Sequence, residues 1–558
     1  MRKLAVLVCL LVAEGTTARA WAAGPSCEQL AQLALPNAKV TSAQGVAAGT
    51  FAPPAGATPW LVGDPSFYKQ VPPFCRVMIE DRPSADSVIK IEVWLPISGW
   101  NGKFRGQANG GFAGEIDYRL LGFAVMQGYA SAGTDTGHAA SGVDASWALG
   151  HPEKIVDFGY RGIHEMTVLG KTIVKAFYGE NAKRAYFAGC SNGGRQGLME
   201  AQRYPEDYDG IIAGAPANYW TRLVSSAIWD MQATTLDPAS YIPSSKIPAL
   251  AQAVLASCDA KDGVKDGILN NPRQCHFDPA AMLCTGSDSD ACLTQPQVMA
   301  LTRLYAGAQD SKGQVIFPGF VPGGEEGPGG WSTWITGPAP GKSLFFAFGY
   351  GYFANMVYEK SDWDYRKANL DDAVAASDQK FAGVLNAMDA NMKAFEAHGG
   401  KLILYHGWSD PGISPLSVVH YYGNVVKKMG QSAADSFVRL YMVPGMQHCQ
   451  GGPGTDIFGE FGISAVNDPQ HNLYMALEQW VEKGSAPREL IASKMDGPGP
   501  EAKVTMTRPL CEYPQEARYK GSGDMNNAEN FAFAVFQNAQ LAQGSSALRR
   551  EPEHEQRE

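Results

Sequence analysis

A chain of 558 residues is longer than one ordinary hydrophobic core supports, so two domains, or one large domain with a substantial insertion, are expected. The composition, 45% hydrophobic and 18% charged, is that of a soluble globular protein, and no long apolar run follows the first residues. A net charge of −10 without clustered Lys and Arg argues against a nucleic-acid partner, which leaves a small-molecule or neutral substrate.

The N-terminus carries Arg2 and Lys3, an apolar stretch from Leu4 to Val12, then small residues up to Gly24. That order is the layout of a secretory signal peptide over 1–23, too short to anchor the chain in a bilayer, and it outweighs the reading as a buried helix. Export, to the periplasm or beyond, implies an oxidising compartment. Ten cysteines less Cys9, which leaves with the signal, make nine, so at least one thiol lacks an intramolecular partner. Neighbourhood suggests Cys258 with Cys275 and Cys284 with Cys292, although spacing does not fix connectivity.

Runs rich in β-branched and aromatic residues at 88–97, 184–189, 401–407 and 437–445 alternate with helical stretches. The alternation predicts an α/β fold with a mostly parallel sheet covered on both faces. A helix is predicted over 160–179, where Ile163, Val168, Leu169, Ile173 and Phe177 recur at near-helical spacing and Gly179 closes the segment. From about Asn218 to Ser377 the text turns rich in Gly, Pro and aromatics. That composition predicts a loop-rich inserted subdomain without long regular elements, packed over the working edge of the sheet. The tail from Gly544 to Glu558 reads as disordered.

Gly189-Cys190-Ser191-Asn192-Gly193 lies between a predicted strand and a predicted helix that Pro205 stops, the setting of a nucleophile elbow. A serine hydroxyl attacks only when a base takes its proton, and a carboxylate usually orients that base. In hydrolases of this architecture the chain order is Ser, acid, His, and Asp410 and His448 each fall just beyond a predicted strand. His138 and His406 also lie near strand ends and are read as hydrogen-bonded packing residues. Cys190 precedes the serine and Cys449 follows the histidine, so a bond between them would tie nucleophile to base.

The stretches "GCSNGGRQGLMEAQRYPEDYDGIIAGAPA", "YHGWSDPGISP" and "VPGMQHCQGGPGTD" closely resemble the tannase and feruloyl esterase family, secreted α/β-hydrolases with a Cys-Ser-Asp-His-Cys arrangement. The resemblance implies that Ser191 is the nucleophile, His448 the general base and acid, Asp410 the orienting carboxylate, and Cys190–Cys449 the linking disulfide. It further implies an α/β-hydrolase core, 24–217 and 388–543, with an inserted lid at 218–387. Cys27 and Cys75 are also counted among the bonded thiols. Relatives often carry a C-terminal Cys pair whose second position is Phe533 here, so Cys511 is expected to be the odd, buried thiol.

An oxyanion needs two N–H donors. One is expected from Asn192 and the other from the Gly-rich loop 106–114, at Gly110 or Gly111, unless that loop is an ordinary turn. Asp259, Asp262 and Asp266 cluster between Cys258 and Cys275, a spacing that suits a solvated acidic loop as readily as Ca²⁺. The family resemblance tips this toward a structural calcium in the lid, held by the three aspartates and the carbonyls of Val264 and Ile268. No organic cofactor is implied. Phe345, Phe346, Phe348, Tyr350, Tyr352, Phe353 and Tyr358 suit a cover over an aromatic acyl group, although most would be lid core. A branch of the family that cleaves the terephthalate half ester uses a lid arginine; none occurs from 343 to 362, which disfavours that activity. The expected function is a secreted serine esterase of aromatic esters, galloyl, hydroxycinnamoyl or simpler. The competing readings are a silent binding module and another hydrolase, such as a peptidase or lactonase.

Overall fold

In the computed structural model, which describes residues 26–461, 463–497 and 501–535, nine strands form one mixed sheet. They are β1 (Ala38–Val46), β2 (Phe74–Asp81), β3 (Ile89–Pro96), β4 (Lys103–Gln107), β5 (Ala130–Thr134), β6 (Arg184–Cys190), β7 (Gly210–Gly214), β8 (Lys401–Gly407) and β9 (Val438–Val443). Their spatial order is β1-β2-β3-β5-β4-β6-β7-β8-β9. The expected signal peptide (1–23) and tail (544–558) lie outside the described residues.

From β5 to β9 every neighbouring pair is parallel, as the alternation of strands and helices requires. The first three strands depart from that pattern: β1–β2, β2–β3 and β3–β5 are antiparallel. The link from Asp81 to Ile89 is too short for the crossover a parallel pair needs, so the run at 88–97 returns beside its neighbour instead.

Consecutive residues of the central strands point to opposite faces and feed two apolar clusters. Phe187, Ile211, Leu402 and Leu440 pack with Ile163, Ile173, Leu198 and Val418 on one face. Tyr186, Ile212, Ile403 and Tyr441 pack with Leu473, Leu477 and Trp480 on the other. The covering helices include Gly162–Tyr178, which ends at left-handed Gly179, and Asn192–Arg203, which stops two residues before Pro205. With both faces covered, the strand carboxyl ends are where side chains meet a cleft.

Between β7 and β8 the chain makes its long excursion. The ends meet: Ala387 N–H donates to the Asn218 carbonyl at 2.9 Å, and Thr221 N–H to Asn386 Oδ1 at 3.0 Å. The expectation of no long regular elements fails here, because Trp220–Thr235 and Leu370–Leu385 are 16-residue helices, with Ile247–Cys258 and Gln295–Ala306 between them. Gly and Pro concentrate between 318 and 341, where one four-residue helix forms; the stretches that form the long helices carry apolar residues at helical spacing.

Candidate active site

Cys190 ends β6 and Asn192 opens the next helix, so the chain reverses at Ser191, whose φ is +86°. A non-glycine residue holds that conformation only where its surroundings fix it. Ser191 N–H donates to the Gly214 carbonyl at 2.9 Å, and the Ser191 carbonyl accepts from Ala217 N–H at 3.0 Å. Gly189 is obligatory for the packing, since a Cβ there would stand 2.8 Å from the Gly193 backbone and collide with Ala108.

Ser191 Oγ lies 2.9 Å from His448 Nε2, and His448 Nδ1 lies 2.8 Å from Asp410 Oδ2. Asp410 follows β8 and His448 follows β9, so adjacent parallel strands deliver both groups to the elbow. The acid is fully buried: Oδ1 accepts from Gly412 N–H (2.7 Å) and Ile413 N–H (2.9 Å), and Oδ2 faces His406 Nε2 at 2.9 Å. Burial by itself would raise its pKa, but the His448 charge and the hydrogen bonds from His406 and His448 hold it well below the usual carboxylate range. The three groups that chain order brought forward are thus joined by hydrogen bonds.

Cys190 and Cys449 form a disulfide, as do Cys27–Cys75, Cys258–Cys275 and Cys284–Cys292. Cys511 is a free, buried thiol. The segment between β7 and β8 contacts the loop that carries His448. Trp334 meets the His448 ring edge-on at 4.7 Å between centroids, and Gln447 Nε2 donates to the Glu326 carbonyl at 2.6 Å.

Residues 75–534 match the family model described as tannase and feruloyl esterase. The chain belongs to the tannase and feruloyl esterase family. It is 41% identical to an uncharacterized esterase of Xanthomonas campestris pv. campestris, over 95% of this chain and 94% of that one. A probable feruloyl esterase B-1 of Aspergillus fumigatus is 34% identical over 88% of this chain and 92% of its own. Among solved structures, feruloyl esterase B from Aspergillus oryzae superposes with a TM-score of 0.82 at 30% identity, covering 91% and 99% of the two chains. Tannin acyl hydrolase from Aspergillus niger, at 21% identity, shares the fold with a TM-score of 0.71 over 95% and 96%. Like the rest of its family, the chain is a carboxylic ester hydrolase on an α/β-hydrolase fold.

Two spaces that share Ser191, Gly111, Trp334, Phe348 and His448 in their linings flank the serine of this family member. A cleft of about 580 Å³ runs from Ser191, Gly110, Gly111 and His448 toward Arg119, Glu460 and Tyr474. A smaller space of about 50 Å³ on the other side is lined by Asn192, Trp220, Leu223, Val224, Phe345 and Phe348. Of the aromatics singled out in the insertion, Phe348 reaches both spaces and Phe345 the smaller one; Tyr352 and Phe353 are buried core. Asn192 opens the helix after the serine, and Gly111 takes φ +54° where a Cβ would collide with the Gly142 carbonyl. Among the described residues neither Gly110 nor Gly111 N–H has a hydrogen-bond acceptor.

The acidic loop is folded by its own backbone: Gly267 N–H donates to Asp259, Val264 and Asn270 N–H to Asp262, and Ile268 N–H to Asp266. Arg508 Nη2 reaches Asp266 Oδ2 at 2.6 Å. Burial first, then the charges of Asp266 and Asp259, push the Asp262 carboxyl up to about 6. The loop is absent from the groups whose carboxylate, His or Cys atoms converge within 4.8 Å.

Sequence reasoning gave His138 and His406 the same role. His138 fits it, buried against Trp147 with Nε2 2.8 Å from the Phe112 carbonyl. His406 does not, because it holds the acid. Its signal was its position four residues before Asp410, which spacing alone does not separate from packing. Trp220 and Trp334 were also missed, because nothing in their local text marks them as neighbours of the serine; Arg195 was missed although it lies one helical turn after Ser191.

Proposed function

We propose that this chain is an exported serine esterase that hydrolyses aromatic carboxylic esters through an acyl-enzyme. The observation that carries the reading is the continuous hydrogen-bonded line Ser191–His448–Asp410. His448 Nε2 takes the Ser191 proton as Oγ attacks the ester carbonyl, and Asp410 holds the tautomer with hydrogen on Nδ1. Asn192 N–H and the N–H of Gly110 or Gly111 receive the developing oxyanion. The imidazolium then protonates the leaving alcohol, and water, activated by the same imidazole, releases the acid and restores the serine. The apolar and aromatic lining beside Ser191 supports an aromatic acyl group. Four disulfides support export to an oxidising compartment.

We read 218–387 as the lid, supported by the closed base of the excursion and by Trp334 against His448. A structural Ca²⁺ fits its acidic loop by donor chemistry. The set is all hard oxygen, Asp266 alone of the three carboxylates pairs with a guanidinium (Arg508) among the described residues, and no backbone N–H among those residues donates to the Val264 and Ile268 carbonyls. Asp259, Asp262, Asp266 and those two carbonyls would hold it. The ion would supply charge neutralisation that stiffens the loop, with no part in the reaction.

Burst release of a chromogenic phenol from an aryl ester tests the mechanism. The wild type gives a stoichiometric burst and Ser191→Ala gives none; a Ser191→Ala variant with full activity overturns the proposal. A panel of gallate, ferulate and aliphatic esters reads the acyl preference.

A further inference from the structure

Glu200 lies on the Asn192–Arg203 helix, nine residues after Ser191 and so about 14 Å along the helix axis. The residue is 0% exposed, and neither Oε1 nor Oε2 has a hydrogen-bond partner among the described residues. A carboxylate buried without a donor is costly unless something else balances its charge. Tyr208 and Lys171 are near enough to interact with that charge, yet both direct hydrogens elsewhere. Tyr208 O–H bonds Thr167 Oγ1, whose own hydrogen goes to the Ile163 carbonyl at 2.8 Å, and Lys171 Nζ donates to the Asp207 main-chain carbonyl.

What the carboxylate faces is a second acid and an imidazole. One oxygen of Glu200, one of Asp207 and one ring nitrogen of His164 lie within 4.8 Å of one another. His164 Nδ1 is 2.7 Å from Asp207 Oδ2, and the ring stacks on Tyr204 with centroids 3.7 Å apart, which sets its plane. The side chains of His164 and Asp207 are 27% and 14% exposed, so the cluster opens to solvent through them while Glu200 closes its inner side. Three segments meet here: His164 comes from the helix Gly162–Tyr178, Glu200 from Asn192–Arg203, and Asp207 from the turn before β7.

We propose that His164, Glu200 and Asp207 form a second metal site, one that takes a divalent transition metal of the Zn²⁺ kind. One imidazole with two carboxylates suits zinc, whereas Ca²⁺ and Mg²⁺ are held by oxygen ligands. Ligand atoms about 2.1 Å from a tetrahedral zinc stand roughly 3.4 Å apart, so side-chain rotations close the cluster on the ion and water takes the fourth position. The ion supplies the positive charge that Glu200 lacks. Its role is structural: it clasps two helices and the approach to β7 together behind the nucleophile elbow and takes no part in ester cleavage. The inference therefore stands independently of the serine-esterase reading.

The test titrates Zn²⁺ into the untagged enzyme after EDTA treatment, with Ca²⁺ returned in excess so that the lid loop is not the variable. Calorimetric titration and Tm are the readouts. The wild type is expected to take up one zinc per chain and to gain several degrees in Tm. Glu200→Gln keeps the shape and removes the buried charge, so it folds at least as well without metal, yet it is expected to bind zinc about tenfold more weakly or worse. His164→Phe, which retains the stack on Tyr204, is expected to lose zinc in the same way. Sound stability without metal joined to a lost zinc response is a result that a merely protonated Glu200 does not give. A wild type that takes up no zinc overturns the proposal and leaves Glu200 and Asp207 sharing a proton. Zinc that binds both variants as tightly as the wild type lies elsewhere, His448 included, and overturns it equally.

Discussion

His406 Nε2 lies 2.9 Å from Oδ2 of Asp410, the same oxygen that takes His448 Nδ1 at 2.8 Å. The carboxylate fixes the hydrogen on His406 Nε2, because His406 Nδ1 is buried with no partner among the described residues. Asp410 is thus held by four donors, two backbone and two imidazole, and only one of the four faces the serine. Hydrogen bonds to a charged group contribute about 1.5–3 kcal/mol. His406→Phe is therefore expected to lower kcat by about 10- to 100-fold with KM little changed, and His406→Gln, which restores an N–H, to recover most of it. Steady-state kinetics on variants shown folded by circular dichroism decide this, and an undiminished kcat in His406→Phe would sink it.

The Cys190–Cys449 bond spans 259 residues of sequence, and in the chain-entropy account a loop that long contributes up to about 5 kcal/mol. Its sulfurs belong to the residues flanking Ser191 and His448, so its loss is felt first as misplacement of those two groups. Cys190→Ala combined with Cys449→Ala should cut kcat by about tenfold or more while the fold persists at 25 °C with a lowered Tm. Unchanged turnover with intact secondary structure would remove the brace from the mechanism.

The elbow was legible because strand, glycines and helix are all local, and Asp410 and His448 were legible because each strand end is marked by its own apolar run. What brings them together is adjacency of β8 and β9 at the end of the sheet, a tertiary fact. His406 is the clearest case. One strand end supplies both the acid and a second imidazole for it, and only side-chain geometry separates that histidine from His138, which packs. Of the antiparallel strands only the run of β3 stood out in the sequence, and its direction did not, because apolar density marks a buried strand and not its direction. The long helices of the insertion were hidden by Gly and Pro that occupy only part of it.

Glu460 lines the cleft and is 5% exposed, with Oε2 accepting from Phe458 N–H at 2.9 Å. Burial pushes its carboxyl up to about 8, backbone hydrogen bonds oppose the shift, and the Asp456 charge adds to it. The sign follows from proton counts. Between the unfolded value near 4.5 and about 8 the folded state binds more protons, so this contribution is whole at low pH and lost as pH rises through 8, to the extent of roughly 5 kcal/mol. Asp410, held low, acts oppositely: its contribution is present above the unfolded carboxylate value and lost on acidification. Glu460→Gln should leave Tm nearly unchanged at pH 5 and raise it at pH 9. Parallel Tm curves for the two proteins from pH 5 to 9 would show that Glu460 does not titrate in this range.

The acidic loop carries the last prediction. It is closed by Cys258–Cys275 and pinned to the C-terminal strands Val504–Cys511 and Gln515–Tyr519 by Arg508 on Asp266 and by Asn270 Nδ2 on the Ala517 carbonyl. From there it reaches the loops of His448 and Asp410, because Ile268 packs beneath Gly445 and the Arg273 guanidinium lies 5.1 Å from the Trp408 ring, two residues before Asp410. A cation that neutralises Asp259, Asp262 and Asp266 stiffens this bridge, and one that binds only the folded state stabilises it by mass action. Treatment with EGTA should therefore lower Tm by several degrees, and added Ca²⁺ should restore it where Mg²⁺ does not. Asp262→Asn, which removes one charge and keeps the acceptor oxygen for a backbone N–H, should weaken the calcium-dependent rise in Tm. Calorimetry with EGTA and with each metal reads all three outcomes, and a Tm indifferent to chelation in the wild type would leave the loop an acidic turn held by its own backbone.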